Sequence, residues 1–232
     1  MALFLIVLGL LPGFAWLLFY LTEAGHPEPR QLIAFTFIVG MAFGFFTIGI
    51  EELFNTVAAG FGIQVLSVLS LIGLALIEEI MKFTAAYFSA HKSAAFSEPC
   101  DAMIFTIVAA LGFATLENIG AVANAVTAPV SAHIPAIATV FETISFRFVG
   151  ATLLHSLTSG IVGFHWALGI LRQKVAKHLA IGFAIAAGLH AIFNYLILNY
   201  GNLAYSVVFL VMVGFYVLND FEQLKTPKIN LI

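Results

Sequence analysis

Leu71-Ile72-Gly73-Leu74-Ala75-Leu76-Ile77-Glu78-Glu79-Ile80-Met81-Lys82 decides how this chain folds. The stretch closes an apolar run from Ile63 and leads into Phe83, Ala85, Ala86, Tyr87 and Phe88. Neither a proline nor a polar cluster interrupts it, and no glycine follows Gly73, so nothing marks a helix end. Three ionisable side chains therefore lie inside one predicted membrane helix. At a helix centre each charge costs about 2.5–3.5 kcal/mol, and three cost about 7–10 kcal/mol. About eleven Ile, Leu and Val side chains return only about 3–7 kcal/mol. Such a helix is stable only if the groups lie off-centre, pair, lose charge or face protein. Glu78 and Lys82 are spaced i, i+4 with the acid first, the better order for an ion pair. Glu79 points about 100° away around the helix. A structural pair in a bundle is the plain reading, whereas intramembrane ionisable residues are by default a functional hypothesis.

The rest of the composition agrees. The 232 residues are 62% hydrophobic and 9% charged, with a mean hydropathy of +1.06. No soluble domain of this length has that profile. The expected fold is an all-α polytopic membrane bundle, one integral membrane domain over residues 1–232. A net charge of −3 without a basic patch gives no reason to expect nucleic acid among its partners. The lone Cys100 excludes an internal disulfide and a Cys-rich metal site. Met1 to Tyr20 lacks a basic leader region and a small-residue cleavage site, and reads as a retained first span.

Hydropathy predicts seven spans, at residues 3–21, 31–51, 63–89, 102–123, 146–171, 178–199 and 203–218. Pro12 falls inside the first span, where a kink is expected. Residues 132–143 read as a short interfacial helix, and Gly40 and Gly44 as a helix-packing face. Glu51 and Glu52 read as the solvated end of the second span. Seven basic residues, Arg30, Lys92, Arg172, Lys174, Lys177, Lys225 and Lys228, then share one side of a seven-span chain. The positive-inside rule makes that side cytoplasmic and places the N-terminus outside.

Four spans carry polar groups that hydropathy alone does not explain. They are Glu78, Glu79 and Lys82 in the third, and Glu117 and Asn118 in the fourth. The fifth carries His155, with Arg147 before it and His165 after it, and the sixth His190 and Asn194. Counting about 1.5 Å per residue from the cytoplasmic ends puts Glu79, Glu117, His155 and His190 about 20–25 Å deep, in one layer. Each has a plain structural reading. His155 sits among hydroxyl side chains, His190 and Asn194 are one turn apart, and Glu117 with Asn118 can bridge helices. His165 lies too far toward the cytoplasm to join them. As a set, two histidines and up to three carboxylates suffice for a catalytic zinc site of three protein ligands and an open position. A further carboxylate is then free to act as general base.

Glu78-Glu79-Ile80-Met81-Lys82 (EExxK) and Phe113-Ala114-Thr115-Leu116-Glu117 (FxxxE), followed by His155 and by His190 with Asn194, resemble the PrsW-type intramembrane proteases. These are relatives of the CAAX-processing and bacteriocin-processing membrane endopeptidases. Pro27-Glu28-Pro29, and Glu98-Pro99 with Asp101, also look like this family. The resemblance runs from about Pro12 to Asn194. It implies a multi-helix membrane protease of the bacterial plasma membrane acting on a membrane-anchored protein, such as an anti-sigma factor. CAAX-processing relatives usually have His where Glu117 stands, which favours the PrsW branch. In the metal version of the chemistry, His155, His190 and Glu117 hold zinc, and Glu78 or Glu79 is the base. In the metal-free version the same Glu activates water, and His155, His190 and Asn194 stabilise the oxyanion. A proton-coupled transporter is the rival reading, but it calls for polar groups strung along the membrane normal and for inverted repeats.

Overall fold

A computed structural model describes residues 2–23, 27–127, 136–200 and 203–225. Among them are eight helices and no strand: α1 (Ala2–Glu23), α2 (Arg30–Gly60), α3 (Val68–Ala90), α4 (Pro99–Thr127), α5 (Ala136–Val149), α6 (Ala151–Leu171), α7 (Val175–Tyr200) and α8 (Leu203–Lys225). The first turn expected of the interfacial helix, together with His26, His133 and Lys228, lies outside the described residues. Six spans are long and apolar enough to cross a membrane, α5 and α6 counting as one. The seventh, α3, has 23 residues, enough for about 34 Å of helix, and is distinguished by its three charges.

α4 is the centre of the bundle. It packs on α1, α2, α3, α5, α6 and α8, and every residue from Cys100 to Thr115 is buried. In lipid an apolar surface does not by itself drive helices together, so close packing rests on small residues. α4 supplies Ala102, Ala109, Ala110, Gly112 and Ala114, all buried. Gly40 of α2 lies so close to the Ala109 backbone that a Cβ there would clash, which accounts for the predicted glycine face.

Two boundaries differ from the sequence expectation. α2 runs to Gly60 and does not end at Glu51, because glutamate is a good helix former. The chain turns only where Gly62 takes φ +75°, a left-handed conformation open to glycine. α3 then starts at Val68, five residues later than expected, with the Ser67 side chain accepting from Ser70 N. The fifth span is broken at Gly150, which has φ −110° and ψ −98°. A Cβ at Gly150 would lie 2.6 Å from the Phe146 carbonyl oxygen, so the break requires glycine. α5 is therefore a separate arm that carries Arg147 back toward α4. Trp16 Nε1 pins α1 to this break by donating to the Phe148 carbonyl at 2.9 Å.

The helix ends agree with an odd number of crossings. Lys225 at the end of α8 pairs with Glu23 at the end of α1 at 2.7 Å. Asp101, opening α4, accepts from Ser97 N and Glu98 N at 2.7 Å each and ties down the α3–α4 turn.

The one-sided charges predict which face is cytoplasmic. Gln64 and Ala94 are exposed in turns at opposite ends of α3, and the native Cys100 is buried. In intact cells an impermeant thiol reagent should label Gln64→Cys and reach Ala94→Cys only after permeabilisation. The opposite pattern would invert the topology.

Candidate active site

The polar turns of α3, α4, α6 and α7 meet at one depth. At their centre is Lys82, completely buried. Its Nζ donates to Glu79 Oε1 at 2.7 Å, and both side chains are fully shielded from solvent. The expected partner was Glu78, one turn away. Glu79 takes the pair because i, i+3 neighbours are equally within reach, and Glu79 faces the interior where α7 closes on α3. Glu79 Oε1 also accepts from His190 Nδ1 at 2.8 Å. Lys82 Nζ reaches a second acceptor, His155 Nδ1, at 3.0 Å. The Phe113 ring lies 5.7 Å from the same ammonium, which gives the aromatic residue of FxxxE a place in the site.

These contacts assign both imidazole tautomers. An ammonium only donates, so His155 Nδ1 accepts and its ring proton lies on Nε2. That proton is donated to Glu117 Oε2 at 3.0 Å. Glu79, paired with Lys82, only accepts, so His190 carries its proton on Nδ1 and keeps a lone pair on Nε2. The two lone-pair nitrogens, His155 Nδ1 and His190 Nε2, each lie 3.7 Å from Glu78 Oε2. Glu78 Oε2 is buried and has no hydrogen-bond partner among the described residues.

This convergence forms a group that could hold a metal ion. Glu78, His155 and His190 each offer a ligand atom, all within 4.8 Å of one another. One carboxylate and two imidazoles are a common donor set for catalytic zinc. Each imidazole gives its other nitrogen's proton to a carboxylate, the usual arrangement around metal-ligating histidine. The residues therefore fit a divalent metal. Lys82 is the one opposing feature, since it occupies the lone pair of His155 Nδ1.

Glu117 is placed differently from the sequence expectation. It stands on the far side of His155, outside the converging group, and pairs with Arg147 Nη2 at 2.7 Å. Arg147 Nε also donates to Asn118 Oδ1, and Asn118 Nδ2 donates to Thr152 Oγ1 at 3.1 Å. Glu117 keeps 32% of its side chain exposed, so the site opens on this flank. Asn194 is half-buried one turn beyond His190, and no side-chain hydrogen bond joins the two. His165 stacks on His178, away from the centre.

One residue was missed. Glu51 of α2 is half-buried, and its carboxyl acts electrostatically on that of Glu78. The signal was its spacing. Gly40, Gly44, Thr47, Glu51 and Phe54 recur every three or four residues, one face of a helix. Gly40 touches Ala109, Gly44 touches Leu116 and Phe113, and the Phe54 ring presses on Gly73 of α3. Glu52 points away and is exposed.

Residues 28–218 match the model of a family described as PrsW family intramembrane metalloprotease. A relative named Protease PrsW from Geobacillus kaustophilus (strain HTA426) is 27% identical over 231 residues, 95% of this chain and 92% of that protein. A second relative of that name, from Bacillus subtilis (strain 168), is 25% identical over 233 residues, 97% and 96% of the two chains. No solved structure matches.

Removing Lys82 would strand Glu79 in the bundle. Breaking a buried pair from one side costs about 3–5 kcal/mol. Lys82→Met should therefore lower the thermal unfolding midpoint in detergent, and adding Glu79→Gln should recover part of the loss. An unchanged midpoint in the single variant would show that Glu79 has another counter-charge.

Proposed function

The chain belongs to the PrsW family of intramembrane metalloproteases, and we propose that it cuts a membrane-anchored protein at a centre made by Glu78, His155 and His190. It is a protease with a multi-pass helical membrane body. The observation that carries the site assignment is the partnerless Glu78 Oε2, facing the lone pairs of two imidazoles. The depth of the layer supports the substrate class. A peptide bond reaches Glu78 only if its segment enters the bilayer, as that of a single-span protein such as an anti-sigma factor does. A location in the bacterial plasma membrane follows from the same reading.

His155 Nδ1, His190 Nε2 and Glu78 Oε2 would hold the metal, for which zinc suits the donors. When bound, a divalent metal supplies a Lewis acid that polarises a carbonyl and makes water a better nucleophile near neutral pH. The chain's own residues orient that centre. Glu79 holds His190 with Nε2 free and anchors Lys82. Glu117 fixes the His155 ring by taking its Nε2 proton, and Arg147 with Asn118 holds Glu117. Asn194, one turn from His190, would contact the substrate carbonyl in this reading.

Lys82 at His155 Nδ1 favours a second reading without metal. There Glu78 Oε2 takes the proton of the attacking water and passes it to the leaving amine. Both readings give the direct role to Glu78, as metal ligand in the first and as base in the second, because Glu79 is committed to Lys82 and His190.

Glu78→Gln keeps the shape and removes the basic oxygen. It should abolish cleavage of a reconstituted single-span substrate, as should His155→Ala and His190→Ala. In the metal reading all three variants should also lose bound zinc, measured by mass spectrometry of the purified protein. Full activity of a metal-stripped, chelator-treated wild type would leave the metal-free reading. Unimpaired cleavage by Glu78→Gln would remove the site assignment.

A further inference from the structure

We propose that the C-terminal part of α4, from Glu117 through Gly120 to Asn124, is the floor of the cleft that receives the substrate, and that Gly120 sets how closely the substrate main chain approaches. This rests on the reading given above, in which a segment of a single-span protein enters the bilayer site. Helix geometry leads to it. Phe113, Glu117, Gly120 and Asn124 recur every three or four residues and share one face of α4. The first two already belong to the site. The Phe113 ring lies 5.7 Å from Lys82 Nζ, and Glu117 Oε2 lies 3.0 Å from His155 Nε2. Every residue of α4 from Cys100 to Thr115 is buried, whereas Glu117 is partly exposed and Gly120 and Asn124 are exposed. The bundle therefore uncovers this face just past the site. α2 and α5 flank it, α2 through Gly44 on Leu116 and α5 through Arg147 on Glu117.

Two features of this opening fit a peptide segment. Among the described residues, no neighbouring helix has an atom within 4 Å of where a Gly120 Cβ would lie. Glycine is a poor helix former, and inside a membrane it serves where another backbone must come close. Gly40 and Gly112 have such neighbours within the chain, the Ala109 and Phe37 carbonyls. Gly120 has none, and the space beside it admits a second chain. Gly49 of α2 has equally free space but is turned away from the Gly44 and Glu51 face, and so away from the site. The second, independent observation is Asn55. It stands one turn beyond Glu51 on the α2 face that meets α4 through Gly44. Its Oδ1 is buried and meets no donor among the described residues. A substrate span that unwinds to present a peptide bond frees N–H groups, which hydrocarbon leaves unsatisfied. Asn55 Oδ1 is an acceptor for one of them at the edge of the cleft.

The test uses the full chain with a reconstituted single-span substrate. Gly120→Leu should lower kcat/KM by about 100-fold, the scale of a misplacement of about 1 Å. Gly120→Ala should lose less, and Gly49→Leu should match wild type. The thermal unfolding midpoints of all three should equal or exceed that of wild type, because alanine and leucine are better helix formers than glycine and the added side chains meet no neighbouring helix. In the Glu78→Gln background, which holds the substrate uncut, a photo-crosslinking side chain placed at Asn124 should capture the substrate, and one placed at Gly49 should not. A Gly120→Leu protein that cleaves as wild type does would overturn this inference and leave the site assignment standing. So would a probe at Asn124 that captures only lipid. A Gly120→Leu protein with a lowered midpoint would assign Gly120 to packing within the bundle and overturn the inference too. A wild type that cuts no single-span substrate would remove the proposed substrate class together with it.

Discussion

The arrangement depends on one buried ammonium. Lys82 has three protons to donate and no capacity to accept, and it is placed where water does not reach. Its bond to His155 Nδ1 turns that ring so that Nε2 faces Glu117. Its bond to Glu79 keeps that carboxylate an acceptor, which in turn settles the proton of His190 on Nδ1. One cation thus sets the protonation pattern of two imidazoles on two other helices. The unprotonated nitrogens left by that pattern are the ones that face Glu78, that of His155 also accepting from Lys82.

The bilayer makes such mutual dependence necessary. In hydrocarbon a polar group has no water to fall back on, so the charged turns of α3 and α4 and the histidine turns of α6 and α7 must satisfy one another. They do so at one depth because each span contributes a single polar turn. Close approach is possible because α3 presents Ala75, Ala85 and Ala86, all buried, and α4 a run of Ala and Gly. The break at Gly150 adds a fifth element, swinging Arg147 onto Glu117 at the open flank. Glu78 is left over by this economy of pairing, with an oxygen that no proton donor among the described residues meets.

Much of this was legible in the amino-acid sequence. Span number, the membership of Glu78, Glu79, Glu117, His155 and His190 in one layer, and the packing role of Gly40 all follow from hydropathy and helical rise. What was not legible concerns partners. Glu78 and Glu79 are each within reach of Lys82 by helix geometry, and the bundle chooses Glu79. Glu117 fits a metal ligand by residue type, yet α5 and α6 place an arginine and the far nitrogen of His155 on it. Glu51 was read as a solvated helix end because two adjacent acids resemble a boundary, whereas α2 continues for nine residues.

The division has a physical origin. Depth in a membrane is a one-dimensional quantity, set by about 1.5 Å of rise per residue and by the cost of leaving a charge in hydrocarbon. Both are local properties of a stretch such as Leu71 to Lys82, so the chain alone determined the bundle and the level of its polar layer. Azimuth is not local. Which carboxylate turns toward which nitrogen depends on how each helix is rotated against its neighbours. That rotation is decided by contacts between residues distant in sequence, Gly40 on Ala109 and Phe54 on Gly73 among them. The tertiary structure alone therefore decided that Glu79 holds Lys82, that Glu117 supports His155, and that Glu78 faces two unprotonated imidazole nitrogens.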